Sequence, residues 1–83
     1  MRGMPNLSSS RQHPTLVALG RAIRRIRKDR GLSQEQLALT AGVDVSYLGR
    51  VERGDNNASV LALHYIAEAL GMTMTALMTE AGL

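Results

Sequence analysis

The chain has 83 residues, 45% of them hydrophobic, which is enough for one small soluble domain of four or five helices around a single core and too little for a second domain. Cysteine is absent, which excludes disulfides, thiolate catalysis and cysteine-ligated zinc; His13 and His64 stand far apart without acids at ligand spacing, so no metal or cofactor site is expected. The formal charge of +3 is unevenly placed: residues 1–32 carry eight of the ten basic residues against Asp29 alone, whereas Arg50 and Arg53 face six acids in residues 33–83. Clustered arginine with a pI near 10.2 suits a polyanionic partner, and an acidic protein would also answer to it. No apolar run approaches the roughly twenty residues of a membrane span, and Met1 to Pro14 lacks the apolar core of a signal peptide. The expected compartment is a reducing cytoplasm.

In chain order, residues 1–14 hold Gly3, Pro5, Asn6, three serines and Pro14 without periodicity, and read as a flexible N-terminal arm. Arg2 and Arg11 can carry such an arm to a minor groove or to phosphates, or it is a plain leader. Residues 15–83 form the domain. A first helix is predicted from Thr15 to Arg30, with Leu16, Leu19, Ile23 and Ile26 as its apolar stripe and Arg21, Arg24, Arg25 and Lys28 opposite. A charged stripe opposite a core is usually solvated, and phosphate contact is the sharper alternative. Gly31 ends the helix, and Leu32 can fold back over Ile26.

Ser33 and Gln36 have the spacing of a capping box, so a second helix opens at Gln34, places Leu37, Ala38 and Ala41 at helical intervals and stops at Gly42. Asp44 can cap a third helix over Val45 to Arg53, closed by Gly54. A polar loop, Asp55-Asn56-Asn57-Ala58, leads to Ser59 as cap of a fourth helix. Its stripe is Val60, Leu63, Ile66, Ala67 and Leu70, with His64 and Tyr65 off it, before Gly71. Thr73 caps a short last helix with Met74, Leu77 and Met78 apolar.

Two helices of about ten residues around a glycine turn make an αα-hairpin or a helix-turn-helix. At about 100° per residue the third helix turns Leu48 and Val51 one way and Ser46, Gly49, Arg50 and Arg53 the other. The outward face has no acid. Two guanidiniums among small and polar groups suit base edges in a major groove, and the wheel alone equally permits a solvated amphipathic helix. Arg27 falls inside the apolar arc of the first helix, about 40° from Ile23, and needs a partner. Glu52, next to Leu48 by angle, supplies one for a partly buried bidentate bond.

Ala38, Gly42, Leu48 and Val51, with Gln34 at the opening and Glu52-Arg53-Gly54 at the close, resemble the helix-turn-helix of the lambdoid repressor and Cro family, the XRE-type regulators. The resemblance runs from about Val17 to the C-terminus. It implies an all-α fold, a compact five-helix lambda-repressor-like domain. It also implies a sequence-specific double-stranded DNA-binding transcriptional regulator, acting as a homodimer on a two-fold operator.

Val45, Ser46 and Arg50 match the family positions that enter the groove. Gln34, Tyr47, Arg53, Asn56 and Asn57 surround that face and are assigned to the DNA backbone, and the Arg27–Glu52 pair is assigned to structure. In this family the C-terminal end often helps form the dimer, which would engage Leu77, Met78 and Leu83; Met is also a plain gap-filler. Two rival readings are the antitoxin half of a toxin–antitoxin pair, with a toxin as protein partner, and the controller protein of a restriction–modification operon. Neither a phosphate loop nor a Ser/His/Asp set is present, so an enzyme is not expected, and two tyrosines make a poor stacking platform for single strands.

Overall fold

A computed structural model describes residues 11–83, and among these the chain forms five helices and no strand. Helix α1 spans Pro14–Asp29, α2 Gln34–Ala41, α3 Val45–Arg53, α4 Val60–Ala69 and α5 Met74–Glu80. Each start has a local cause. Pro14 takes the first position of α1, where its missing N–H costs nothing, and His13 Nδ1 accepts from the Thr15 N–H at 3.1 Å. Ser33 Oγ accepts from the Gln36 N–H at 3.0 Å while Gln36 Oε1 accepts from the Ser33 N–H at 2.8 Å, closing the capping box of α2. Ser59 and Thr73 cap α4 and α5 in the simpler way.

Asp44 does not. It holds the extended backbone of an N-cap, but its side chain makes no cap bond. The turn before it is fixed from the other side: Gly42 sits at φ 72°, and the Val43 N–H reaches back to the Ala38 carbonyl at 3.0 Å. The segment Gly42-Val43-Asp44 therefore turns α2 into α3 without the aspartate carboxylate.

The core joins one stripe from every helix: Leu19, Ile23 and Ile26 from α1, Leu37 and Ala38 from α2, Leu48 and Val51 from α3, Leu63, Ile66 and Ala67 from α4, and Leu77 from α5. Helix α1 packs on α3 and α5, and α2 packs on α3 and α4. Two expected core positions lie elsewhere. Val60 is 71% exposed, because it stands at the first position of α4, and burial along that helix begins only at Leu63. Leu16 is half-buried at the equivalent end of α1.

The crossing of α1 and α3 is a close backbone approach, and Gly20 sets it. A Cβ there would stand 2.5 Å from the Glu52 carbonyl oxygen and would collide with that of Val51. Gly54 does the same one turn away: at φ 76° it ends α3, and a Cβ would meet Val17 Cγ2 at 2.8 Å. Helix α1 thus lies against the C-terminal turn of α3, with a glycine at each of these two contacts.

Candidate nucleic-acid interface

The third helix is held from beneath by one buried ion pair. Arg27 Nε donates to Glu52 Oε2 at 2.7 Å and Nη2 donates to Oε1 at 3.0 Å, a two-pronged bond between side chains that are 9% and 2% exposed. Further bonds complete the cluster. Arg27 Nη1 donates to the Leu32 carbonyl at 2.9 Å, and Gln34 Nε2 donates to Glu52 Oε1 at 2.9 Å. Leu32 returns the bond through its own N–H to the Arg27 carbonyl at 3.1 Å. One cluster therefore ties the end of α1, the start of α2 and the end of α3 together.

Above this anchor α3 turns Val45, Ser46 and Arg50 into solvent, with Val45 39% exposed. No acid lies on that face. Gly49 falls on the same stripe by angle but is buried, because Gln34 and Arg53 close over it; a Cβ would meet Arg53 Nη1 at 3.3 Å and Gln34 Oε1 at 3.8 Å. The outward face is consequently narrower than the wheel draws it, with Gly49 as a flat patch between Ser46, Arg50 and Arg53.

The surrounding residues fall into two groups. Arg53 and Asn57 are exposed and Asn56 is half-exposed, the two asparagines just past the helix end. Gln34 and Tyr47 are partly committed to the protein. Gln34 spends one side-chain N–H on Glu52, and the Tyr47 hydroxyl accepts from the Ser59 N–H at 3.3 Å, linking α3 to the N-cap of α4. Gln34 and Tyr47 are both half-buried, and the Tyr47 ring packs against the core.

One anchor has no signal in the local pattern. Gln12, at φ 61°, donates its backbone N–H to the Gly54 carbonyl at 2.7 Å and its side-chain amide to the Arg53 carbonyl at 2.8 Å and to Asp55 Oδ1. Asp55 also accepts from Arg53 Nε at 3.2 Å. These bonds, the Gln12 amide first and the Arg53 guanidinium second, hold the Asp55 carboxyl below the usual carboxylate range. The chain just before α1 is thus fastened to the C-terminal cap of α3. Residues 1–10 of the expected arm lie outside the described residues.

A glycine-turned helix pair whose second helix shows an acid-free polar face, clamped from behind by a buried arginine–glutamate pair, defines a helix-turn-helix protein. The helix-turn-helix family model matches residues 23–77, and the chain belongs to that family, with the XRE-type regulators. It is 36% identical over 61 residues to an uncharacterized HTH-type transcriptional regulator, y4dJ of Sinorhizobium fredii, covering 74% of this chain and 79% of the relative. It is 41% identical over 64 residues to the immunity repressor protein of Bacillus phage phi105, of whose length it spans 44% against 77% of its own. Among solved structures it is similar to the restriction-modification controller protein C.AhdI of Aeromonas hydrophila (TM-score 0.73, 44% identity, 75% of this chain and 94% of that one). It is also similar to the biofilm regulator SinR in complex with DNA, with TM-score 0.67, 35% identity, 71% of this chain and 95% of that one.

Among the described residues no group of His, Asp and Glu could hold a metal ion, and no single helix is long and apolar enough to cross a membrane.

Proposed function

We propose that the chain is a sequence-specific, double-stranded DNA-binding transcriptional regulator that acts as a homodimer on a two-fold operator. One observation carries the reading: Val45, Ser46 and Arg50 stand on one acid-free outward face of a helix whose opposite side is locked to α1 by the Arg27–Glu52 pair. A helix laid in a major groove needs this division, since base edges are read by a few side chains while everything else must hold the helix still.

Arg50 is the base reader of greatest reach, with two parallel N–H donors for guanine O6 and N7. Val45 and Ser46, in the first turn, contact neighbouring bases. Arg53, Asn56, Asn57, Gln34 and Tyr47 grip the backbone, the last two with the polar edges their internal bonds leave free. In the dimer, Leu77 has no part: it is fully buried and belongs to the core, whereas Leu83 at 52% exposure remains available.

The test is fluorescence anisotropy of labelled duplex pools over a salt series. Binding should weaken steeply as salt rises, with log affinity falling by about 0.9 per neutralised phosphate for each unit of log salt. Salt-independent affinity, or none, contradicts the reading.

A second reading has its own support. The chain is 44% identical to the controller protein C.AhdI and spans 94% of it, so control of a restriction–modification operon is a specific form of the same function. A restriction endonuclease and methyltransferase encoded beside this chain would favour it.

A further inference from the structure

A carboxylate stands among the residues assigned to the DNA backbone. Asp55 lies just past the end of α3, between Arg53 and the Asn56–Asn57 loop, where its charge repels phosphate and sits at the negative end of the helix dipole. Its place there needs a cause. The backbone does not supply one: the Asp55 N–H reaches the Arg50 carbonyl at 2.9 Å, a bond that any residue but proline would make.

The side chain is held unevenly. Oδ1 accepts from the Gln12 amide and Oδ2 from Arg53 Nε at 3.2 Å, so each oxygen has its own partner. Gln12 is fixed in turn, with its N–H on the Gly54 carbonyl at 2.7 Å and its amide also on the Arg53 carbonyl at 2.8 Å. Losing Arg53 would thus free one oxygen and leave the carboxylate in place. Exposure is uneven as well. The Asp55 side chain is 18% exposed and that of Arg53 62%, whereas Arg25 and Glu80, which tie α1 to the end of α5 at 3.2 Å, are open alike at 51% and 49%. In the Arg53–Asp55 pair only the cation faces solvent, from a guanidinium that lies back over Gly49 beside the reading face.

An arginine grips phosphate most firmly through two parallel N–H donors, and the edge made by Nε and one Nη is closed while Nε is bound to Asp55. A phosphate that takes this edge must displace a carboxylate, an anion that fits the same guanidinium fork. We propose that Asp55 is an internal competitor for DNA: its Oδ2 occupies Arg53 in the free protein, and a backbone phosphate takes the arginine only by exchange. Asp55 thereby limits how strongly the chain binds a duplex without touching a base. The proposal rests on the DNA reading above and adds, to the residues that provide binding, one that restrains it.

The experiment measures affinity for a labelled duplex of fixed sequence, at one ionic strength, for the wild type, Asp55→Asn, Arg53→Gln and the double variant, with a thermal melt of each. Asp55→Asn keeps the shape and removes the charge. It should bind about two- to fivefold more tightly, the worth of one exposed ion pair, while melting no higher than the wild type. A residue with a merely structural role would not strengthen binding when lost. In the Arg53→Gln background the same change should add little, because the competitor has no arginine left to hold. An Asp55→Asn variant that binds no more tightly than the wild type overturns the proposal and makes Asp55 a brace that aligns Arg53. A gain as large without Arg53 as with it also overturns it, since the carboxylate would then repel the duplex as a whole. A wild-type protein that binds no duplex overturns the DNA reading instead, so the two failures are distinct.

Discussion

Two arginine–carboxylate pairs meet the C-terminal turn of α3, and they differ in nearly every physical respect. Arg27–Glu52 is sealed, two-pronged and surrounded by further bonds from Leu32 and Gln34. Arg53–Asp55 is single-pronged at 3.2 Å, with the arginine side chain 62% exposed. A sealed pair cannot exchange its partner for water, so its worth lies in holding three helices in one arrangement. An open pair can let go. Arg53 can leave Asp55 for a phosphate at small cost, and Asp55 would still be held by Gln12. The same turn of helix thus has a fixed underside and an adaptable outer edge, as a helix that must be oriented before it binds requires.

Breaking the sealed pair should have the largest effect. Glu52→Ala strands the Arg27 guanidinium and removes the partner of Gln34, at a typical cost of about 3–5 kcal/mol. In a domain of this size that corresponds to a fall in melting temperature of well over 10 °C, roughly 4–8 °C for each kcal/mol, with loss of DNA binding as α3 loosens. Replacing both Arg27 and Glu52 by apolar residues of similar volume should recover much of the stability and the binding. Recovery should be incomplete, because the Leu32 carbonyl and one Gln34 N–H lose their partners. Thermal melts with gel shifts on both variants check this. A fully stable Glu52→Ala that no longer binds would place Glu52 at the DNA surface and break the comparison.

Gly20→Ala comes next. Its methyl group must displace the backbone of α3 rather than a side chain, so a cost of about 1–3 kcal/mol is expected, against a helix-propensity gain of at most about 1 kcal/mol. The melt should fall and duplex binding weaken together. Unchanged stability would mean that α1 and α3 are less closely apposed than the fold shows.

The smallest effect belongs to the open pair, and pH sharpens it. The Asp55 carboxyl titrates below the usual range, because the Gln12 amide and then Arg53 favour its charged form. Its stabilisation is therefore present at neutral pH and fades as pH falls below about 4, the ordinary aspartate value, and through the lowered one. Asp55→Asn should melt slightly below the wild type at pH 7, and the gap should close at the acid end. A gap that persists in acid would assign the difference to packing instead of charge.

How far the sequence reveals all this depends on how local each cause is. The limits of α2 and α3 are legible because a capping box and two left-handed glycines encode them within a few residues. The direction of Arg27 and Glu52 is legible from helical angle. Gly20 is silent, since its role depends on which helix crosses α1. Gln12 is silent for the same reason: its partner Asp55 lies 43 residues away. Val60 is misleading, because period alone cannot tell that the first turn of α4 carries no burial. Helical angle marks out the outward face of α3, but not the internal bonds that Gln34 and Tyr47 make beside it.

The central claim is that the outward face of α3 reads bases. Selection of preferred duplexes from a random pool by the wild type and by Arg50→Ala tests it most directly. The wild type should enrich a two-fold site with half-sites about one helical turn apart, roughly 34–36 Å. Arg50→Ala should bind that site more weakly by about 1–3 kcal/mol and lose preference at one base position in each half. If Arg50→Ala selects the same site at every position, Arg50 does not read a base, and an α3 that lies in the groove with this face inward is contradicted.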